Sequence, residues 1–265
     1  MDDERPGQEP EPVSPPASGH EGATSIEGVT GTEGVTGIEG VTGPSASIHL
    51  RDHLEREMRG VRDDVLRMGS MVVEAIHEAV EALVDGDRER ATAVIVNDVR
   101  INDMQAAILV QVVSTIATQA PVARDLRYLL ALDRVTYELE RMGDHAASVA
   151  KQAQRLADDV PPAATRLRNI GLAAAELVSD VLRALIDVDE EAARAVAARD
   201  DEVDHRYKRA FDQTMDWLRA DPARLADGIS LLFAAHDLER IGDRATNIAE
   251  DVVFLTSGKI EDLNP

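Results

Sequence analysis

A thirteen-residue motif occurs twice in this chain and constrains its fold more than any other feature. Residues 138–150 read ELERMGDHAASVA and residues 237–249 read DLERIGDRATNIA, with seven identical positions and no gap. A second match, ALVDGD at 82–87 and ALIDVD at 184–189, lies upstream at nearly the same offset. Self-similarity at a spacing of about one hundred residues predicts two copies of one structural unit.

Each copy is predicted to contain three helices. Helix-forming residues fill the chain beyond residue 48, and Pro121, Pro161 and Pro222 stand where helices must begin or stop. Asp87 and Asp189 each follow a short acidic turn and are typical of helix N-caps. The six helices are therefore expected near 49–85, 88–118, 122–158, 163–187, 190–219 and 223–257.

The predicted fold class is all-α, with two tandem, pseudo-symmetric three-helix bundles. The chain is 44% hydrophobic but only 3% aromatic, so its core must consist of aliphatic side chains, which favours helices over a β-sandwich. The first bundle is assigned to residues 49–160 and the second to residues 161–265.

The third helix of each copy shows the clearest apolar spacing. Apolar residues recur every three or four positions, as in the seam of a long helical bundle. Gly143 and Gly242 interrupt these helices, where a glycine costs about 1 kcal/mol relative to alanine. They indicate the close approach of another backbone or of a ligand. The seam positions are Leu132, Val135, Leu139, Met142, Ala146 and Val149, and Leu231, Ala234, Leu238, Ile241, Ala245, Ile248, Val252 and Leu255.

The first 48 residues differ from the rest in composition. Pro, Gly, Ser and Glu dominate them, and the hexad EGVTG-x occurs in tandem at Glu27, Glu33 and Glu39. Such a segment buries too little apolar surface to offset the entropy of ordering, which predicts a disordered tail over residues 1–48. A short β-helix built on the hexads is the alternative.

Composition also excludes several classes of protein. The net charge of −22 argues against a nucleic-acid partner, because binding a polyanion requires clustered Lys and Arg. The chain has no cysteine, so a metal would be held by carboxylates or histidine. The start of the chain resembles no signal sequence and no stretch is long and apolar enough to enter a membrane, so we expect a cytoplasmic protein.

The repeated motif carries a pair of carboxylates in each copy. Glu140 and Asp144, and likewise Glu239 and Asp243, lie one helical turn apart on one face. Because like charges at this spacing repel, a cation is expected beside them, either the adjacent arginine or a metal ion. The second helices add Asp98 in copy one, and Asp200 and Asp204 in copy two, as possible co-ligands.

These residues predict an oxygen-ligand metal site in each copy. The site of copy one is expected to be the poorer, because neutral Asn102 occupies the position equivalent to Asp204. Solvation of these carboxylates, with the neighbouring arginine as partner, is the alternative.

A di-iron centre of the ferritin type is a rival interpretation. Such centres use two Glu-x-x-His pairs, and this chain has Glu74 with His77 and Glu202 with His205. The apolar spacing predicts that both pairs face away from the bundle seam, on helices that are not equivalent in the repeat. Since the sequence also lacks nucleotide-binding, hydrolase and metalloprotease motifs, we expect no enzyme.

Four segments resemble the signature motifs of the PhoU family of phosphate transport regulatory proteins. They are PVARDLR at 121–127, LERMGDHA at 139–146, LERIGDRATNIAEDV at 238–252 and TSGK at 256–259. The resemblance spans residues 50 to 258 in the family's order. It implies two pseudo-symmetric three-helix bundles, in agreement with the repeat.

The resemblance also implies a function. Members of the family link the ATPase of a high-affinity phosphate ABC transporter to a sensor histidine kinase and keep phosphate-starvation genes off when phosphate is plentiful. Their acidic motifs bind surface metal clusters, and family members often form homodimers. The metal is a divalent or transition ion (Mg, Mn, Fe or Zn). A metal-buffering or storage bundle without a signalling partner is the alternative. The residues that match the family's acidic motifs and their co-ligands are Glu140, Asp144, Glu239, Asp243, Asp98, Asp200 and Asp204.

Overall fold

The computed structural model describes residues 44–157 and 160–263. This part of the chain contains six α-helices and no strand, as predicted. Residues 1–43 of the predicted disordered tail lie outside the described residues. Residues 44–48, the end of that predicted tail, form the first five residues of helix α1. The helices are α1 (Pro44–Asp85), α2 (Arg88–Gln119), α3 (Arg124–Arg155), α4 (Ala164–Asp187), α5 (Glu190–Ala220) and α6 (Leu225–Ser257).

Side-chain caps fix the starts of the two second helices. Asp87 accepts a hydrogen bond from the backbone N–H of Arg90 at 2.9 Å, and Asp189 accepts one from that of Ala192 at 3.1 Å. Each cap satisfies an N–H that has no partner within the helix. The predicted capping aspartates are therefore confirmed. A short 3₁₀ turn at Pro222–Arg224 precedes α6, so that helix begins two residues later than predicted.

Each copy of the repeat forms a three-helix bundle. α1, α2 and α3 all contact one another, and so do α4, α5 and α6. Contacts between the bundles join α3 to α6 and α1 to α4. Exchanging α1 with α4, α2 with α5 and α3 with α6 leaves this pattern unchanged, as a pseudo-twofold axis requires. Helices α2 and α5 thus lie on the outside. In the described part of the chain, neither of them contacts a helix of the other bundle.

One aliphatic core runs through all six helices. Every predicted seam residue of α3 is buried, and so is every predicted seam residue of α6 except Leu255, which is partly exposed. Alanines and glycines in these seams let the helices approach closely, which suits a core with few aromatic side chains. No helix within the described ranges combines the length and apolarity needed to cross a membrane.

Candidate metal centre

The first acidic site lies where α2 packs against α3. Glu140 and Asp144 lie on α3, and Asp98 lies on the neighbouring turn of α2. Burial raises the pKa of Asp98, and the negative charge of Asp144 raises it further. Burial also raises the pKa of Glu140, with the charges of Asp144 and Asp98 adding to the effect. Asn102 is exposed one turn further along α2.

The second acidic site has the equivalent place between α5 and α6. Burial, followed by the charges of Asp243 and Asp204, raises the pKa of Asp200 to about 7. Burial also raises the pKa values of Glu239 and Asp243. Asp204 adds to both of these shifts, so the four predicted carboxylates of copy two share one neighbourhood. This second site contains four carboxylates, against three in the first.

The two mid-helix glycines make room for these aspartates. A Cβ atom added to Gly242 would lie 2.4 Å from Asp200 Oδ1, and one added to Gly143 would lie 3.3 Å from Asp98 Oδ1. The close approach indicated by the sequence is real. At Gly242 the approaching group is the side chain of Asp200, and at Gly143 Ile101 Cδ1 lies closest, at 3.0 Å, with Asp98 next, so side chains of the neighbouring helix rather than its backbone make the approach.

Arginines of the repeated motif contact the same carboxylates. Arg141 Nε lies 3.6 Å from Glu140 Oε2, and its Nη1 lies 3.7 Å from Asp144 Oδ2. Arg240 Nη1 donates a hydrogen bond of 3.0 Å to Asp243. Burial raises the pKa of Asp243 and the charge of Arg240 lowers it. The pKa stays above its ordinary value, so the effect of burial is the larger.

The donor chemistry of both sites suits a hard or borderline divalent cation. Every proposed ligand is a carboxylate, and Asp98 Oδ1 is buried without a hydrogen-bond partner, which is costly unless a cation or donor satisfies it. Within residues 44–157 and 160–263, however, no three carboxylate or imidazole groups are arranged to hold a single ion. A bound ion would therefore compete with Arg141 for Glu140 and Asp144, and with Arg240 for Asp243.

A pair of polar contacts links the bundles beside these sites, and the sequence analysis missed it. Glu138 of α3 accepts hydrogen bonds from Arg244 at 3.3 Å and from Asn247 at 3.1 Å, both on α6. Asp237 of α6 lies 3.0 Å from His145 Nδ1 on α3. The two contacts are equivalent under the repeat, because Glu138 matches Asp237 and His145 matches Arg244. This equivalence was readable in the aligned motifs.

An apolar groove next to the second site was also missed. Its volume is about 520 Å³, and it lies between α5 and α6. Phe233 is 55% exposed and Ile229 is 43% exposed. At one end His236 Nδ1 lies 3.3 Å from Glu239 Oε2, so the groove adjoins the carboxylates. The lining residues are Tyr207, Ile229, Leu232, Phe233 and His236.

The geometry of the rival di-iron centre does not fit this structure. Glu74 and His77 are not buried in the core of α1, and Glu202 and His205 are exposed on α5. Helices α1 and α5 make no contact in the described part of the chain. The predicted outward orientation of both pairs is confirmed.

Fold and site together define an all-α protein of two pseudo-symmetric three-helix bundles, with a carboxylate site on the outer flank of each. The family model described as "PhoU domain" matches this chain twice, at residues 65–153 and 167–252. The chain belongs to the PhoU family.

Curated relatives and solved structures agree with this assignment. The phosphate-specific transport system accessory protein PhoU homolog of Clostridium acetobutylicum is 36% identical over 216 residues, 81% of this chain and 99% of that protein. The PhoU protein of Escherichia coli K12 is 30% identical over 212 residues, 80% and 88% of the two chains.

The crystal structure of PhoU from Pseudomonas aeruginosa has a TM-score of 0.73 at 34% identity, covering 77% of this chain and 99% of that one. The phosphate transport system regulatory protein PhoU from Streptococcus pneumoniae has a TM-score of 0.74 at 29% identity, covering 79% and 99%.

Proposed function

We propose that this chain is a cytoplasmic negative regulator of the phosphate-starvation response. It acts as an adaptor that couples a high-affinity phosphate ABC transporter, through its ATPase, to a sensor histidine kinase, and it thereby modulates phosphate uptake. The observation that carries the proposal is the family match in both bundles, with relatives named as phosphate-specific transport system accessory proteins. Binding to proteins, not catalysis, is the proposed activity, and the proposed working form is a homodimer.

Surface features support an adaptor role. A protein that binds two partners needs exposed surfaces that its own fold leaves uncovered. The groove between α5 and α6 exposes Phe233 and Ile229 beside charged residues, and exposed apolar surface of this kind marks interaction sites. Aromatic side chains are also enriched among the residues that dominate binding energy.

The metal in this proposal is a structural divalent or transition ion. Asp200, Asp204, Glu239 and Asp243 would hold it in the second site, and Asp98, Glu140 and Asp144 in the first. When bound, the ion supplies positive charge that offsets the repulsion among these carboxylates. The protein side chains hold the two helices together, because Asp200 of α5 packs into the recess at Gly242 of α6, beside the groove.

The proposed mechanism is a population shift. If the adaptor binds one state of the transporter better than another, phosphate supply changes the fraction of adaptor that engages the kinase. Moving a two-state equilibrium from 1:99 to 99:1 requires about a 10⁴-fold difference in affinity between the states. A smaller preference gives a graded response.

Binding of the purified chain to its proposed partners tests this function. The wild-type chain should form a saturable complex with the transporter ATPase and with the cytoplasmic part of the kinase. The variant E239Q/D243N should bind at least tenfold more weakly, and E140Q/D144N makes the same change in charge at the first site, which shows whether that site contributes as well.

The outcomes of this experiment are distinct. Unchanged affinity of E239Q/D243N would separate the acidic site from signalling. A chain that binds neither partner but takes up many ions would contradict the adaptor and support the metal-buffering alternative.

A further inference from the structure

The outer face of α2 carries an apolar stripe with no partner in the described part of the chain. Its positions follow the three-four spacing of a coiled-coil seam, and all of them are exposed. The exposed fractions of the four valines range from 55% to 68%. Only Asp103 is charged. The stripe, as we define it, consists of Val96, Val99, Asp103, Ala106, Val110, Val113 and Ala117.

The second copy of the repeat provides an internal comparison. Buried positions of α2 match buried positions of α5 at an offset of 102 residues, as Ile101 matches Val203 and Ile108 matches Ala210. The face of α5 equivalent to the stripe is polar. It consists of Ala198, Asp201, His205, Lys208, Asp212, Met215 and Arg219. Two helices with the same place in the fold thus present outer faces of different polarity.

The distribution of charge also favours the outer face of α2 as the place where two copies meet. Residues 104–123 contain no charged side chain, although the whole chain carries a net charge of −22. The matching segment of α5, residues 206–220, contains six charged side chains. Two copies of an acidic protein repel each other over most of their surfaces. The last half of α2, residues 104–119, is a surface where a second copy meets little repulsion.

We infer that the outer face of α2 is the surface through which two copies of this chain associate. This inference rests on the homodimer included in the proposed function and identifies its interface. A twofold axis places the same stripe on both sides of the interface, so an apolar stripe is complementary to itself.

The size of the stripe suits a reversible dimer. It spans 22 residues, or about 33 Å of helix. With the flanking side chains, two copies would bury on the order of 1,000 Å², near the lower limit of a specific interface. A dimer that dissociates in the micromolar range is expected.

Sedimentation velocity of the full chain between about 0.1 and 100 µM tests the inference. The variant V96E/V113E should raise the dimer dissociation constant at least about a hundredfold, because four unpaired carboxylates enter the interface. Its matched control is A198E/M215E, which adds the same charge at the equivalent positions of α5 and should leave the constant within about threefold of wild type. D103V should lower it about tenfold. Circular dichroism checks that each variant is folded.

Each outcome supports or overturns the inference. A wild-type chain that stays monomeric at every concentration overturns the dimer altogether. The stripe would then be a surface for binding another protein. A wild-type dimer that V96E/V113E leaves intact, or that A198E/M215E weakens equally, overturns this interface alone. Neither result bears on partner binding by the monomer, which is measured separately. Failure of this interface can therefore be distinguished from failure of the proposed regulatory function.

Discussion

The recess at Gly242 provides the sharpest test of the site's construction. In G242A the new Cβ would lie 2.4 Å from Asp200 Oδ1, closer than a real Cβ contact allows. Asp200 is only 2% exposed, so the carboxylate cannot swing into solvent without disturbing the contact between α5 and α6. The substitution therefore forces apart the two helices that form the second acidic site.

The magnitude follows from two opposing effects. Replacing a mid-helix glycine by alanine stabilises a helix by about 1 kcal/mol. Overpacking a buried position costs about 1–3 kcal/mol. The free energy of unfolding of G242A should therefore be unchanged or lower by up to about 2 kcal/mol. Gly60 is the matched control, because a Cβ there meets nothing within 4 Å, and G60A should be about 1 kcal/mol more stable than wild type.

Urea unfolding followed by circular dichroism at 222 nm, with chelator present, measures these differences. In a D200A background the obstruction is gone, so G242A should then stabilise the protein as G60A does. If G242A stabilises the wild-type chain by the same amount as G60A, Asp200 does not occupy the recess and the described packing of α5 on α6 is wrong.

Three further predictions concern stability. Burial raises the pKa of Asp251 to about 7, so its ionisation opposes folding. The free energy of unfolding should fall as pH rises from about 4 to about 7, and D251N should be more stable than wild type at pH 8, by up to about 4 kcal/mol, but not at pH 4. H145R should give Asp237 a permanently charged partner across the bundles and raise the unfolding free energy by about 0.5–1 kcal/mol, measured in urea at pH 8. D87A should remove the cap on the N–H of Arg90 and cost about 1 kcal/mol in the same assay, and an unchanged midpoint would contradict the capping role.

Much of the fold was predictable because the repeat and the helix boundaries are local signals. Asp87 and Asp189 act within one turn, and the seam residues report burial through their spacing alone. The start of α1 at Pro44 was missed, since a segment rich in Ser and Gly gives no helical signal. The sequence also could not show that α3 meets α6, because nothing local to either helix encodes its neighbour.

The sequence indicated which carboxylates lie near one another, but not the contacts that they make. The motif spacing placed Glu239 and Asp243 on one face, and the offset of the repeat brought in Asp200. That Asp200 fills the space left by Gly242 depends on the distance between two helices, which no single-helix pattern fixes. The stripe on α2 was missed for a different reason: α2 is apolar on both faces, so its periodicity is weak.

The central claim is that this chain keeps the phosphate-starvation response off. The direct measurement is the output of a phosphate-starvation reporter, such as secreted alkaline phosphatase, in phosphate-replete cells with the gene deleted and then restored. The account predicts high output on deletion that falls on restoration with the wild-type chain but not with E239Q/D243N. Output that stays low on deletion, in cells without a second PhoU-family gene, would contradict it.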